Sequence, residues 1–147
     1  MSIKHLLDID RTLCAVSCQS KKRILETISQ VVASQLEDVP QAEVLASLVG
    51  REKMGSTGIG KGIAIPHGRL ANIEEVIAVV LTTQPGVDFD AVDNEPVDIF
   101  FALLVPEEQI EGHLQTLAAI AAKLNDEHVV SQIRAATIPQ QIIDALQ

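Results

Sequence analysis

The chain of 147 residues carries a formal net charge of −9, with 47% hydrophobic and 21% charged residues, a balance that belongs to a globular domain with a buried core and excludes a disordered chain. Eleven Lys and Arg, three Phe and neither Tyr nor Trp leave no basic, aromatic-studded surface of the kind that binds nucleic acid; an acidic domain of this sort attracts a partner with a basic patch. The longest apolar run, Ile99 to Val105, falls far short of the roughly 20 residues of a membrane span. The first residues show neither an apolar signal-peptide core nor a cleavage site, and no linker or repeat interrupts the sequence. The expectation is a soluble, cytoplasmic, stand-alone protein with residues 1–147 as a single domain.

In chain order, an opening segment without clear period leads to a short strand at Leu13 to Val16. Cys14 and Cys18, spaced C-x-x-x-C, cannot make a structural zinc site by themselves and read as ordinary half-buried thiols. Ile24, Leu25, Ile28, Val31, Val32 and Leu36 then recur at helical spacing behind Ser20 as N-cap. Lys21, Lys22 and Arg23 crowd the positive end of that helix, either as a solvated first turn or as a basic edge offered to an acidic partner or a phosphate. After Pro40 a second helix from about Gln41 carries Val44, Leu45, Leu48 and Val49 on one face, with Gly55 as its C′ residue. Arg51 and Lys53 fall in its last turn, where cations suit the dipole.

Short strands follow at Ile63 to Ile65 and Val76 to Thr82, then a turn at Pro85-Gly86 and a loop over D-F-D-A-V-D-N. Val97 to Val105 is apolar enough to lie centrally with both faces covered. The last third is helical: Leu114, Leu117, Ala118, Ala121 and Leu124 share a face, Asn125-Asp126 breaks the pattern, Val129, Val130, Ile133 and Ala136 continue it, and Ile142, Ile143 and Leu146 follow Pro139. This order predicts an α/β fold, a mixed sheet with helices on both faces.

Arg51 to Gly68, R-E-K-M-G-S-T-G-I-G-K-G-I-A-I-P-H-G, holds five of the eight glycines and reads as a loop built for close approach. It is not a P-loop, because Lys61 is followed by Gly62 and a strand, and Gly58, Gly60 and Gly62 alternate too strictly for a dinucleotide fingerprint. His5, His67, His113 and His128 show no metal-ligand spacing. Histidine as a nucleophile fits better: Pro66 stiffens the approach to His67 and Gly68 removes bulk beside it. The alternative for His67 is an ordinary surface histidine. His113 opens the helix of Leu114 and Leu117, and helix N-termini favour anions; should that end pack near His67, a phosphoryl group there would meet His113 and Arg51. It too has an ordinary alternative, a helix-edge histidine. His5 and His128 read as surface residues.

Glu52 to Gly68, with its I-G-x-x-I-A-I-P-H-G core, resembles the active-site signature of phosphotransferase-system (PTS) IIA domains of the mannitol/fructose type. C-Q-S-K-K-R near the N-terminus, R-E-K-M-G-S-T-G-I-G and D-N-E-P-V-D-I-F-F-A-L-L-V-P are most similar to the nitrogen-regulatory IIA branch, and the likeness covers nearly the whole chain. The resemblance implies an α/β sandwich with a mixed sheet. It also implies a phosphotransferase component in which His67 takes a phosphoryl group on Nε2 from a phosphohistidine carrier protein, Arg51 steadies that group and His113 supports the phosphohistidine. It implies no bound metal or cofactor, and regulated partners such as potassium-transport or sensor-kinase proteins. Two other functions stay open: a sugar-transport IIA component that passes the group to a IIB protein, and a binding module that is never phosphorylated.

Overall fold

Two long strands carry the architecture. β5 (Ile77–Val87) and β6 (Val97–Pro106) pair antiparallel, and their side chains alternate between two cores. Val79, Leu81, Phe100, Ala102 and Leu104 face one side, while Ala78, Val80, Ile99, Phe101 and Leu103 face the other, the period of two expected of strands covered on both faces. Each fully buried Phe contributes about 2 kcal/mol of burial free energy. The computed structural model describes residues 3–108 and 110–147, the side chains of 110–113 excepted.

The first core is closed by α1 (Lys21–Gln35), through Ile24, Leu25, Ile28 and Val32, and by α2 (Gln41–Glu52), through Val44 and Leu48. The second is closed by α3 (Ile110–Leu124), α4 (Glu127–Ala135) and α5 (Pro139–Leu146), which bring Ile120, Leu124, Val129, Ile133, Ile142 and Leu146. Ser20 caps α1 as its sequence predicts, its Oγ accepting from Arg23 N–H at 3.2 Å. β1 (Thr12–Val16) lies parallel to β5. β3 (Ile63–Ala64) and β4 (His67–Leu70) lie parallel to β6, and β2 (Gly58–Gly60) pairs antiparallel with β3. The result is a six-stranded mixed sheet with helices on both faces, as expected. His5 and His128 are exposed, and no helix among the described residues is long and apolar enough to cross a membrane.

Four local expectations change. Within Arg51 to Gly68 the strand expected at Ile63 to Ile65 is present as β3, but the parts read as loop also hold β2 and the start of β4, of which His67 is the first residue. Pro85-Gly86 lies inside β5 and not in a turn. β1 accompanies β5 only as far as Thr83, and the ladder with β6 shifts register between Thr82 and Val87, so the missing N–H of Pro85 disrupts no continuous ladder. α2 stops at Glu52 with Lys53 as C-cap, and Gly55 stands beyond the cap position expected of it. Lys21, finally, belongs to neither a solvated turn nor a free basic edge: its Nζ lies 3.0 Å from the buried carboxylate of Glu52.

Gly60, Gly62 and Gly68 also serve the fold itself. The turn joining β2 to β3 places Gly60, Lys61 and Gly62 at φ 99, 59 and 78°, conformations that glycine adopts without a side-chain penalty. Gly68 faces inward, where a Cβ would overlap the Ser47 side chain and stand 3.1 Å from the backbone of the same residue. Its missing side chain seats α2 directly on β4. Gly68→Ala is therefore expected to cost about 1–3 kcal/mol through overpacking, read as a lowered Tm in thermal unfolding; an unchanged Tm contradicts this packing.

Candidate active site

α2 and β4 meet in an open cleft of about 450 Å³ lined by Ser47, Arg51, Met54, His67, Gly68 and Arg69. Ser47 and Arg51 are one helical turn apart and share a face of α2. The Ser47 hydroxyl donates to the Arg69 carbonyl at 2.8 Å, fastening that face to β4. His67 and Arg69 are two residues apart on β4 and so emerge on the same side of it.

Pro66 sets the local backbone of His67. It separates β3 from β4 along the edge of β6 while its own carbonyl accepts from Leu103 N–H at 2.9 Å. That break leaves the Ile65 carbonyl to a side chain: His67 Nδ1 lies 2.8 Å from it. A carbonyl only accepts, so Nδ1 carries the proton and Nε2 presents the ring's lone pair. The other side of the ring agrees, since Arg51 Nε–H donates to His67 Nε2 at 3.2 Å. Arg51 is itself anchored, its Nη1 donating to the Gly55 carbonyl at 2.9 Å.

Burial pushes the His67 pKa down, the bond to the Ile65 carbonyl opposes the shift, Arg51 adds to it and the Glu52 charge opposes it; the net direction is below the ordinary value of 6.5. A neutral ring with a defined tautomer is the form that attacks an electrophile. The same shift links stability to pH. A histidine whose folded-state pKa lies below its unfolded value contributes stability that is fully present above the unfolded value and is lost as pH falls through the folded one. Chemical denaturation at about pH 8 and about pH 5 should therefore show the native chain losing more stability on acidification than His67→Gln. An equal or smaller loss in the native chain contradicts the direction of the shift.

Of the three residues singled out by sequence, the structure brings Arg51 and His67 into contact, while His113 lies outside the residues whose side chains are described. Sequence reasoning missed Arg69 and Ser47. Arg69 was signalled by its distance of two from His67, a signal readable only once that segment is a strand. Among the described residues no group of three or more His, Cys, Asp or Glu is placed to hold a metal ion.

Fold and cleft together define a mixed α/β domain that presents one neutral, arginine-held histidine beside a cationic side chain. The sequence model of the phosphoenolpyruvate-dependent sugar phosphotransferase system EIIA 2 family matches residues 5–147. The chain belongs to that family, whose members are phosphotransfer components. Two of its relatives are the nitrogen regulatory proteins of Escherichia coli K12 (44% identical over 143 residues, 97% of this chain and 87% of the relative) and of Pseudomonas aeruginosa (46% identical over 134 residues, 91% and 87%). The crystal structure of nitrogen regulatory protein IIA-Ntr from Neisseria meningitidis superposes with a TM-score of 0.93 at 32% identity, covering 99% of both chains.

Proposed function

We propose that this protein is a nitrogen-regulatory IIA phosphoacceptor: His67 Nε2 takes a phosphoryl group from a phosphohistidine carrier, and the phosphorylation state governs which partner proteins bind. The observation that carries the reading is the pairing of an Nδ1–H tautomer, fixed by the Ile65 carbonyl, with an Nε2 lone pair facing Arg51 in an open cleft. The names borne by the relatives support the regulatory role.

In the transfer the carrier's N–P bond breaks and a bond forms from phosphorus to His67 Nε2, in line. The proton stays on Nδ1, donated to the Ile65 carbonyl throughout, so His67 needs no separate base. Arg51 turns its guanidinium from Nε2 to the phosphoryl oxygens while its other end keeps the Gly55 carbonyl, and Arg69 adds a second positive charge at the mouth of the cleft. Phosphoryl transfer of this kind depends mainly on positioning and on stabilising charge, and planar guanidinium matches phosphoryl oxygens. His113 is assigned the supporting role that the family signature implies. The new charge neutralises the cationic mouth formed by Arg51 and Arg69, which alters docking for any partner that reads this surface. Such partners include potassium-transport or sensor-kinase proteins, as the nitrogen-regulatory signature implies.

Incubation with phosphoenolpyruvate, enzyme I and the carrier tests the reading. We expect the gain of one phosphoryl group, labile in acid and stable in base. No gain leaves a binding module that is never phosphorylated. The family's description as a sugar phosphotransferase system supports a second role, onward transfer to a IIB protein. Rapid loss of label to one purified IIB domain would establish that role over the regulatory one.

A further inference from the structure

Glu52 follows Arg51 in the chain, and the mechanism above gives it no task, yet its side chain is only 5% exposed. Three donors converge on its carboxylate. Thr57 N–H reaches Oε1 at 3.1 Å, the Thr57 hydroxyl reaches Oε2 at 2.5 Å, and Lys21 Nζ lies 3.0 Å from Oε1. Lys21 is held in turn, its Nζ 4.7 Å from the centre of the Phe89 ring and 3.5 Å from the Phe89 carbonyl. A buried ion pair is a poor device for stability alone, because well-packed apolar residues serve as well or better.

The connections beyond Thr57 supply a reason. The Thr57 carbonyl accepts from Ile65 N–H at 3.0 Å, and the Ile65 carbonyl bonds His67 Nδ1 at 2.8 Å. Between Glu52 and Thr57 stands Gly55, whose N–H donates to the Glu52 carbonyl at 3.1 Å and whose own carbonyl holds Arg51. The carboxylate thus closes residues 52–57 into a loop on which both reacting-site groups hang, Arg51 through Gly55 and His67 through Thr57 and Ile65.

We infer that Glu52, with Lys21 as its counter-ion, is a positioning residue that acts through Thr57 to fix the Nδ1–H tautomer of His67 and the pivot of Arg51. The chemistry requires a carboxylate, since its two oxygens both accept, whereas an amide offers one acceptor and would turn its NH₂ toward either Lys21 or the Thr57 hydroxyl. The kinetic consequence rests on the phosphoacceptor role proposed for His67; the tautomer consequence does not.

The test uses the full chain. Nitrogen-15 NMR of the His67 ring reads the tautomer, and carrier-dependent phosphorylation reads kcat and KM. In Glu52→Gln we expect a mixed tautomer and a kcat about tenfold lower, with KM for the carrier within about twofold of native, as misplacement without lost docking produces. Thr57→Val should behave alike, and Thr57→Ser should restore native values. A Glu52→Gln chain that fails to fold leaves the Thr57 pair to decide. A native tautomer in Thr57→Val, or a Thr57→Ser as slow as Thr57→Val, overturns the inference. A native chain that accepts no phosphoryl group removes the phosphoacceptor reading, while the tautomer shift still upholds or overturns the positioning role of Glu52.

Discussion

His67→Gln is expected to reduce phosphoryl uptake to background, a loss of at least about 10³-fold, with the fold retained. The amide nitrogen of glutamine has no free lone pair and its oxygen is a poor nucleophile, so nothing at position 67 can form the bond to phosphorus. The ring is only partly buried at the mouth of the cleft, and glutamine keeps groups able to donate to the Ile65 carbonyl and accept from Arg51. Folding should therefore survive, and circular dichroism should show native helix content. Label retained at native level in His67→Gln would mean that another residue is the acceptor.

Arg51→Ala is expected to slow uptake by about 10²-fold, the usual cost of removing one preorganised donor from a transition state that gathers charge. Two effects oppose each other here. Arg51 Nε–H covers the Nε2 lone pair in the resting site, so its removal frees the nucleophile and lifts the downward push on the His67 pKa. In the proposed transfer it also removes the group that would accept the phosphoryl charge, and that loss is expected to be larger because it acts where charge develops. Arg51→Lys should recover only part of the rate, since a point charge cannot hold the Gly55 carbonyl and the phosphoryl oxygens as a planar fork does. Single-turnover kinetics with phosphorylated carrier measure both variants; native rates in Arg51→Ala would remove Arg51 from the mechanism.

The parts of the fold legible in the sequence were those whose side chains carry a long enough period. The stripe from Ile24 to Val32 and the run from Val97 to Val105 each predict one element because each buries a face, or both faces, over many residues. β2 and β4 are three and four residues long, too short for alternation to register; β4 exists because β6 offers an edge far away in sequence, and β2 because β3 offers it one. Reading them as loop hid the strand spacing that places Arg69 beside His67. Gly68 suggested clearance because local sequence does not show that Ser47 fills the space beside it. Lys21 illustrates a further limit: its partners, Glu52 and Phe89, come from two other segments, so its charge looked solvated. Arg51 and His67 could be paired as candidates from the signature alone, whereas the tautomer depends on a carbonyl freed by Pro66, a consequence of backbone pairing.

On the proposed function, the Ile65 carbonyl is expected to reserve Nε2 of His67 for the phosphoryl group. Phosphorus–nitrogen couplings in the nitrogen-15-labelled, carrier-phosphorylated chain read the attachment atom directly. The expected result is a single phosphohistidine at His67 with phosphorus bonded to Nε2 and the proton still on Nδ1; phosphorus on Nδ1, or on any residue other than His67, would contradict the proposed role of the Ile65 carbonyl.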